Sequence, residues 1–305
     1  MNLKPYLEFD PAVHRALIEK KPIVALETSI ISQGLPYPHN HETALLLEET
    51  IRQQDCTPAT IGIIGGKIKV GLTSEELNFF STEADIKKIN NRDIPVALVR
   101  GWNGATTVSG TLACAKLASV EVLATGGIGG IHREFSETHD MSADLHQIAN
   151  TTAITVCSGA KAILDIPKTL EMLETLGVIV GTYQNEEFPA FWSRNSGCQS
   201  PLRLNSVEEI SALFKTSKQL FNEQGFLVAN PIPIEFEIPR NIIEPFIKDS
   251  LTKARVQNIK GKELTPYLLS SLNELSSGQS LISNIELVKN NANLAAQIAK
   301  KLSII

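Results

Sequence analysis

The sequence predicts an α/β protein of three layers, α/β/α, built on a central mixed, largely parallel sheet. Three observations predict it. Residues 154–183 read as strand ITVCSG, helix AKAILDIPKTLEMLETLG and strand VIVGTY, a βαβ crossover whose strands run parallel. Apolar strand-like runs alternate with amphipathic helical segments through most of the chain, and that alternation puts helices on both faces of a sheet. Gly65 and Gly66 separate two short alternating runs in ATIGIIGGKIKVGL, the spacing of a two-residue hairpin, so part of the sheet is antiparallel.

Taken in order, residues 22–31 (PIVALETSII) form a β-branched and aliphatic run interrupted by Glu27, a buried strand carrying one carboxylate. Residues 42–54 place apolar side chains at helical spacing with charges opposite, an amphipathic helix. A helical stretch over residues 74–89 leads into an apolar strand at 94–99 and a polar, glycine-bearing loop, GWNGATTVSG, at 101–110. A helix at 111–118, a strand at 121–124 and a glycine-rich turn follow. Three prolines within NPIPIEFEIP, residues 230–239, exclude a regular element and make it a covering loop or crossover. The remainder reads as two or three helices ending in NIELVKNNANLAAQIAKKL. With no repeat, low-complexity tract or flexible linker, residues 1–305 are read as one domain.

Composition bounds the function. A net charge of -5 and no dense Lys/Arg run give no footprint for a polymeric nucleic acid, leaving a small molecule as the expected partner. The four cysteines form no C-x-x-C pair, which points to reduced thiols rather than a zinc ribbon or redox motif. The N-terminus lacks a continuous apolar core of the signal type, and no run approaches the ~18 apolar residues of a membrane span. A cytoplasmic protein without membrane attachment is expected.

Several side chains could carry chemistry. Lys161 follows VCSGA where a strand is expected to end and a helix to begin; desolvation and the positive helix end would both favour the neutral, nucleophilic amine. Snorkelling to water is the competing reading of that position. Glu27, inside an apolar strand, must be paired, protonated or at an active strand end, where proton transfer is one use and a buried ion pair another. The run Gly126-Gly127-Ile128-Gly129-Gly130 ahead of His132 and Arg133 is either a phosphate cradle or a plain turn. ETHDMSADLHQ gathers His139, Asp140, Asp144 and His146, a set suited to Mn²⁺ or Mg²⁺ with water, unless Asp140 or Ser142 simply caps the next helix. Asn103, Thr106, Thr107 and Ser109 offer hydroxyl and amide groups for a ribose or a base edge. No serine-hydrolase elbow or metalloprotease spacing is present.

The ordered blocks ALETSIISQGLPYPHN, PATIGIIGGKIKVGLT, NGATTVSGT, ATGGIGGIHR, SADL, GAKAILDIPKTLE, EFPAFWSR-x-SG, ANPIP and SNIELVKNNA cover nearly the whole chain. Together they resemble the pseudouridine-5′-phosphate glycosidase family, which includes indigoidine synthase A-like proteins. The resemblance implies reversible cleavage of pseudouridine 5′-phosphate to uracil and ribose 5-phosphate, with Mn²⁺ as cofactor and a homotrimeric assembly. It implies that Lys161 forms an imine with the opened ribose, because a uracil carbanion leaves too reluctantly for the oxocarbenium route of ordinary glycosidases. Glu27 then transfers protons. Lys88, Val108 and the Ser142-Ala143-Asp144 loop match substrate-binding positions, and Asp140 matches the metal ligand. His132 and Asn284 fall in matching motifs and are expected to make polar or phosphate contacts. His139 stands where phenylalanine is common in the family. Another Schiff-base lyase or aldolase on a sugar phosphate, or a catalytically silent sugar-phosphate sensor, are the competing functions.

Overall fold

The computed structural model describes residues 5–221, 224–259, 261 and 264–303. The strands are β1 Leu7–Phe9, β2 Ile23–Glu27, β3 Thr57–Ile64, β4 Lys67–Val70, β5 Lys87–Ile89 and β6 Gly104–Thr106. They continue as β7 Val122–Ala124, β8 Ile154–Cys157, β9 Ile179–Tyr183, β10 Arg203–Leu204 and β11 Phe226–Ala229. The helices are α1 Pro11–Ile18, α2 His39–Arg52, α3 Ser74–Thr82, α4 Ile94–Arg100, α5 Val108–Ala118 and α6 Phe135–Thr138. After them come α7 Ala143–Ala149, α8 Ile166–Thr175, α9 Val207–Leu220, α10 Arg240–Val256, α11 Leu264–Leu275 and α12 Gln279–Ser303.

All eleven strands belong to one sheet in the order β1-β4-β3-β2-β7-β8-β11-β9-β10, with β6 joined to β3 and β5 to β6. Only the β3/β4 hairpin and the β3/β6 pair are antiparallel, so the sheet is mixed and largely parallel, as expected. Gly65 and Gly66 make the hairpin turn with φ of 55° and 75°, the left-handed values such a turn requires and glycine supplies without strain. The βαβ unit of β8, α8 and β9 is present, and β11 inserts between its two strands. Helix α12 packs against β2, β7 and β8 together with α2 and α9, while α5, α7 and α8 form a second group. Four interior strands, β2, β7, β8 and β11, are buried throughout, as a sheet covered on both faces demands. All four cysteines are free, and burial pushes the Cys114 and Cys157 thiols up to about 12. Among the described residues no helix is long and apolar enough to cross a membrane.

Four elements differ from expectation. The strand expected over residues 22–31 ends at Glu27, and Ile30–Gly34 coil into a short π-helix. The apolar run at 94–99 is helix α4, not a strand; short apolar runs have no distinguishing period, and here Pro95 sits in the first turn while Gly101 closes the helix at φ 65°. The helix predicted over 74–89 ends at Thr82, and β5 follows. Its start is a capping box in which Thr73 and Glu76 satisfy each other's backbone amides. The helix expected to begin beside Lys161 begins at Ile166 instead. Asp165 caps it by accepting from Lys168 N at 3.1 Å, and Pro167 occupies its first turn.

Candidate active site

Open parallel sheets bind ligands beyond the carboxyl ends of their strands, and the cleft lies there. Its anchor is Glu27, the last residue of β2. The β2/β7 register aligns Leu26 with Ala124, so the next residues along each strand, Glu27 and Thr125, meet. Thr125 donates its hydroxyl to Glu27 Oε1, and Ser29 donates to Oε2. Glu27 is 8% exposed, a buried carboxylate held by two hydroxyl donors rather than by a cation. A carboxylate within a continuous apolar run singled out Glu27; its two hydroxyl partners carried no signal beyond standing near strand ends.

Lys161 lies four residues beyond β8, in a loop zipped to the glycine-rich segment. Ser158 N bonds Gly126 O at 2.8 Å, Ile128 N bonds Gly159 O at 3.1 Å and Lys161 N bonds Ile128 O at 3.1 Å. This pairing, and not a helix N-terminus, fixes the lysine, so the dipole argument for its amine does not apply. Among the described residues its Nζ has no hydrogen bond or ion pair. Gly159 has φ 79°, and a Cβ there would come within 2.2 Å of Pro189 O, so only glycine permits the turn.

Four amides of the glycine-rich segment and the two residues after it are already spent inside the protein. The amides of Ile128, Gly129, Ile131 and His132 are taken by Gly159 O, Asp144 Oδ2, Thr169 Oγ1 and Asp140 O. Its glycines serve close packing: a Cβ on Gly129 would lie 2.3 Å from Ser142 Oγ, and one on Gly130 would lie 2.4 Å from Thr169 Oγ1.

Two chambers meet at Glu27, Ser29, Lys88, Lys161 and Thr265. The first, about 530 Å³, has apolar walls including Ile30, Leu35, Phe191, Leu269 and Leu287, with Asn284 among them. The second, about 1130 Å³, is polar and carries Lys88, Arg92, His132 and Asp140. All ten residues singled out from the sequence line one or both: Asn284 the first, Val108, His132, Asp140, Ser142, Ala143 and Asp144 the second, and Glu27, Lys88 and Lys161 both.

In the polar chamber Val108 is the first residue of α5, capped by Thr107. The next three amides are engaged: Ser109 N by Asp144 Oδ1 at 2.9 Å, Gly110 N by Thr107 Oγ1 at 3.4 Å and Thr111 N by Thr107 O at 2.7 Å. Of the first-turn amides of α5, that of Val108 is the one without a partner among the described residues, at a helix end that favours anions. This explains how an apolar residue can serve a polar site. Asp144 is 5% exposed, and both its oxygens accept backbone amides, from Ser109 and Gly129 at 2.9 Å each. It clamps α5 to the glycine segment. Ser142, rather than Asp140, caps α7, accepting from Asp144 N at 3.2 Å.

His132 Nε2 lies 3.8 Å from Asp140 Oδ2. Burial pushes the imidazole below its ordinary value of 6.5, against the pull of the Asp140 and Glu134 carboxylates, and the Lys161 charge adds to the burial. His139 turns away with φ 54°, its ring edge-on to Phe135 at 5.7 Å, and His146 is exposed on α7. The four residues of ETHDMSADLHQ therefore do not converge, and no group of three or more metal-ligating side chains exists among the described residues. Asn103 is also structural, accepting from Gly65 N at 2.9 Å, and Thr106 is buried in a ladder with Thr28 and Thr111. Sequence reasoning missed Ser29, Thr125, Asn90, Gln33 and Phe191, which line the cleft or bind Glu27.

Sheet and cleft together define a three-layer α/β protein of the kind that binds small molecules at its strand ends, with a lysine and a glutamate where an apolar and a cationic chamber meet. The chain belongs to the indigoidine synthase A like protein family, whose model matches residues 12–301. It is 50% identical over 305 residues to the pseudouridine-5′-phosphate glycosidase of Petrotoga mobilis, covering 100% of both chains. It is 51% identical over 298 residues to that of Caldanaerobacter subterraneus subsp. tengcongensis, covering 98% of this chain and 97% of the relative. Among solved structures, the prealnumycin C-glycosynthase in complex with ribulose 5-phosphate superimposes with a TM-score of 0.90 at 36% identity, over 98% of this chain and 97% of that one. An indigoidine synthase A-like protein from Thermotoga maritima gives a TM-score of 0.89 at 36% identity, with the same coverage.

Proposed function

We propose that this enzyme reversibly cleaves the carbon–carbon glycosidic bond of pseudouridine 5′-phosphate, giving uracil and ribose 5-phosphate through an imine on Lys161. Full-length relatives at 50% and 51% identity carry that activity in their names, and a C-glycosynthase of the same fold was solved with a pentose phosphate. The observation that carries the reading is the junction itself: an unpartnered lysine amine and a buried carboxylate border both an apolar and a cationic chamber. The base fits the apolar side, and the phosphate the cationic side.

In the cleavage direction Glu27 delivers a proton to the ring oxygen as the C1′–O4′ bond opens and Lys161 Nζ bonds to C1′. Glu27 then takes the surplus proton from that nitrogen. As the C1′–C5 bond breaks, its electron pair goes to C5, which takes that proton from Glu27, and the nitrogen lone pair closes the C=N bond. Water adds to the iminium, the amine leaves, and ribose 5-phosphate is released. Ser29 and Thr125 hold the carboxylate in place throughout. Lys88, Arg92 and the Val108 amide take the phosphate, and His132, held toward its neutral form, contributes as a hydrogen-bond partner rather than a cation.

The residues fit Mn²⁺ in one form only. Asp140 borders the polar chamber with its side chain 40% exposed, so a single carboxylate oxygen can hold a cation that keeps most of its water, as small hard cations do. Among the described residues no donor set forms a protein-only cage. When bound, the ion supplies charge that orients oxygen atoms of water and substrate. We further read residues 1–305 as one domain, which the single continuous sheet supports, and expect a cytoplasmic homotrimer from the family resemblance.

The test is incubation with uracil, ribose 5-phosphate and Mn²⁺, following C-nucleotide formation. The proposal expects pseudouridine 5′-phosphate; metal-loaded, folded protein that makes none refutes the substrate assignment.

A further inference from the structure

Asn284 stands at one corner of the apolar chamber with Trp192 buried behind it, and their contact fixes which hydrogen-bonding group Asn284 can offer. Trp192 is 1% exposed. Its indole N–H, which can only donate, lies 3.1 Å from Asn284 Oδ1 and 3.2 Å from Ser280 O. The carboxamide oxygen must therefore face the indole. Turning the amide over would set NH₂ against N–H, donor against donor, in a buried place. Asn284 Nδ2 is thus the free end of the group, without a partner among the described residues and not sealed from the chamber. Asn284 itself is 8% exposed.

Phe191 completes the corner. Its ring stands edge-on to Trp192 at 4.9 Å and 73°. Its φ of 61° is one that bulky residues avoid, and the bond from Phe191 N to Ser158 O at 2.9 Å holds it there. A Cβ on Gly127 would come within 2.6 Å of that ring, so the glycine segment leaves space for an aromatic wall. The chamber offers a flat apolar surface beside one oriented donor.

We propose that Trp192 is a specificity-determining positioning residue: by holding Asn284 as a donor, it makes the apolar chamber select a planar heterocycle with a ring carbonyl at that point over one with an amino group there. This rests on the reading of the apolar chamber as the base side of the cleft. A carbonyl accepts from Nδ2, whereas an amino group leaves two buried donors facing each other.

Uracil has two ring carbonyls, cytosine keeps only that at C2, and isocytosine keeps only that at C4. Equilibrium binding of the two isomers to the full-length protein, without sugar phosphate, isolates the position that Asn284 reads. Their Kd values are expected to differ by roughly tenfold or more in the unmodified protein, the cost of an unpaired buried donor. In Trp192→Phe, which keeps an aromatic ring and loses the N–H, the ratio is expected to fall to within about threefold, because the carboxamide can then turn over. Asn284→Asp, which exchanges the donor for an acceptor, is expected to reverse the preference and guards against general loosening in Trp192→Phe. Equal affinities in the unmodified protein, or a ratio unchanged in Trp192→Phe, overturn the inference. Because binding is read without turnover, an intact ratio in a protein that makes no C-nucleotide would refute the reaction and leave the role of Trp192 standing.

Discussion

Replacing Asp144 by Asn is the sharpest test of how the polar chamber is built. The carboxylate accepts from Ser109 N and Gly129 N, one on each oxygen, while 5% exposed. Asparagine has a single acceptor oxygen, so one backbone amide must face an NH₂ group. A hydrogen bond to a charged group is worth ~1.5–3 kcal/mol, and leaving its donor buried and unpaired brings the loss to about 3 kcal/mol. At ~2.1 cal/mol/K of unfolding entropy per residue, 305 residues give about 640 cal/mol/K, so about 3 kcal/mol lowers Tm by about 5 °C. Calorimetry at a fixed scan rate reads this. Because the clamp seats the first turn of α5, KM for the phosphorylated substrate should also rise. An Asn variant with unchanged Tm and lost activity would show that Asp144 acts on substrate directly, and the clamp account would be wrong.

Three further outcomes follow from particular contacts. Val108→Pro removes only the amide left for phosphate, at a first-turn position where proline is tolerated and after an extended Thr107; KM should rise roughly tenfold or more, whereas Val108→Ala stays near the unmodified value, and the reverse pattern would make the side chain the contact. Burial raises the Glu244 carboxyl, but hydrogen bonding and charge from Arg133, at 2.6 Å, outweigh it and hold the group below its ordinary value of 4.5. The unfolded chain therefore takes up that proton first, so the pair's stabilisation is present above about 4.5 and is lost as pH falls below it. Denaturation midpoints of Glu244→Gln should depend less steeply on pH between about 3 and 5 than those of the unmodified protein, and parallel curves would dismiss the pair. Asn291, fully buried, donates to Thr125 O at 2.8 Å and accepts from Asn230 Nδ2 at 3.1 Å, so Asn291→Leu should cost about 3–5 kcal/mol in urea denaturation; a loss under about 1 kcal/mol would mean that the ends of β7 and β11 do not depend on it.

Much of the sheet was legible because its signals are local. The Gly65-Gly66 hairpin, the βαβ unit and the carboxylate in the apolar run of β2 each follow from periodicity or turn chemistry within a few residues. Residues 94–99 were not, since six apolar residues fit either period, and the deciding signals were Pro95 and Gly101 at the ends. Lys161 was picked out correctly as a cleft residue and for partly the wrong reason. Its place comes from pairing with Ile128, more than thirty positions earlier in the chain, a contact no local pattern encodes. The same holds for Thr125 on Glu27, which needs the β2/β7 register, and for Trp192 on Asn284, which needs α12 folded across the sheet. The motif resemblance reached the ten cleft residues as a set; it could not separate Asp144, whose oxygens are spent on backbone amides, from side chains free to meet a substrate.

The central claim is the imine on Lys161, and borohydride trapping in the presence of ribose 5-phosphate tests it most directly. Peptide mass mapping should find the reduced pentose phosphate on Lys161, and Lys161→Arg should remain unlabelled and inactive. Catalytically active protein that yields no adduct, or carries it on another lysine such as Lys88, would contradict the account.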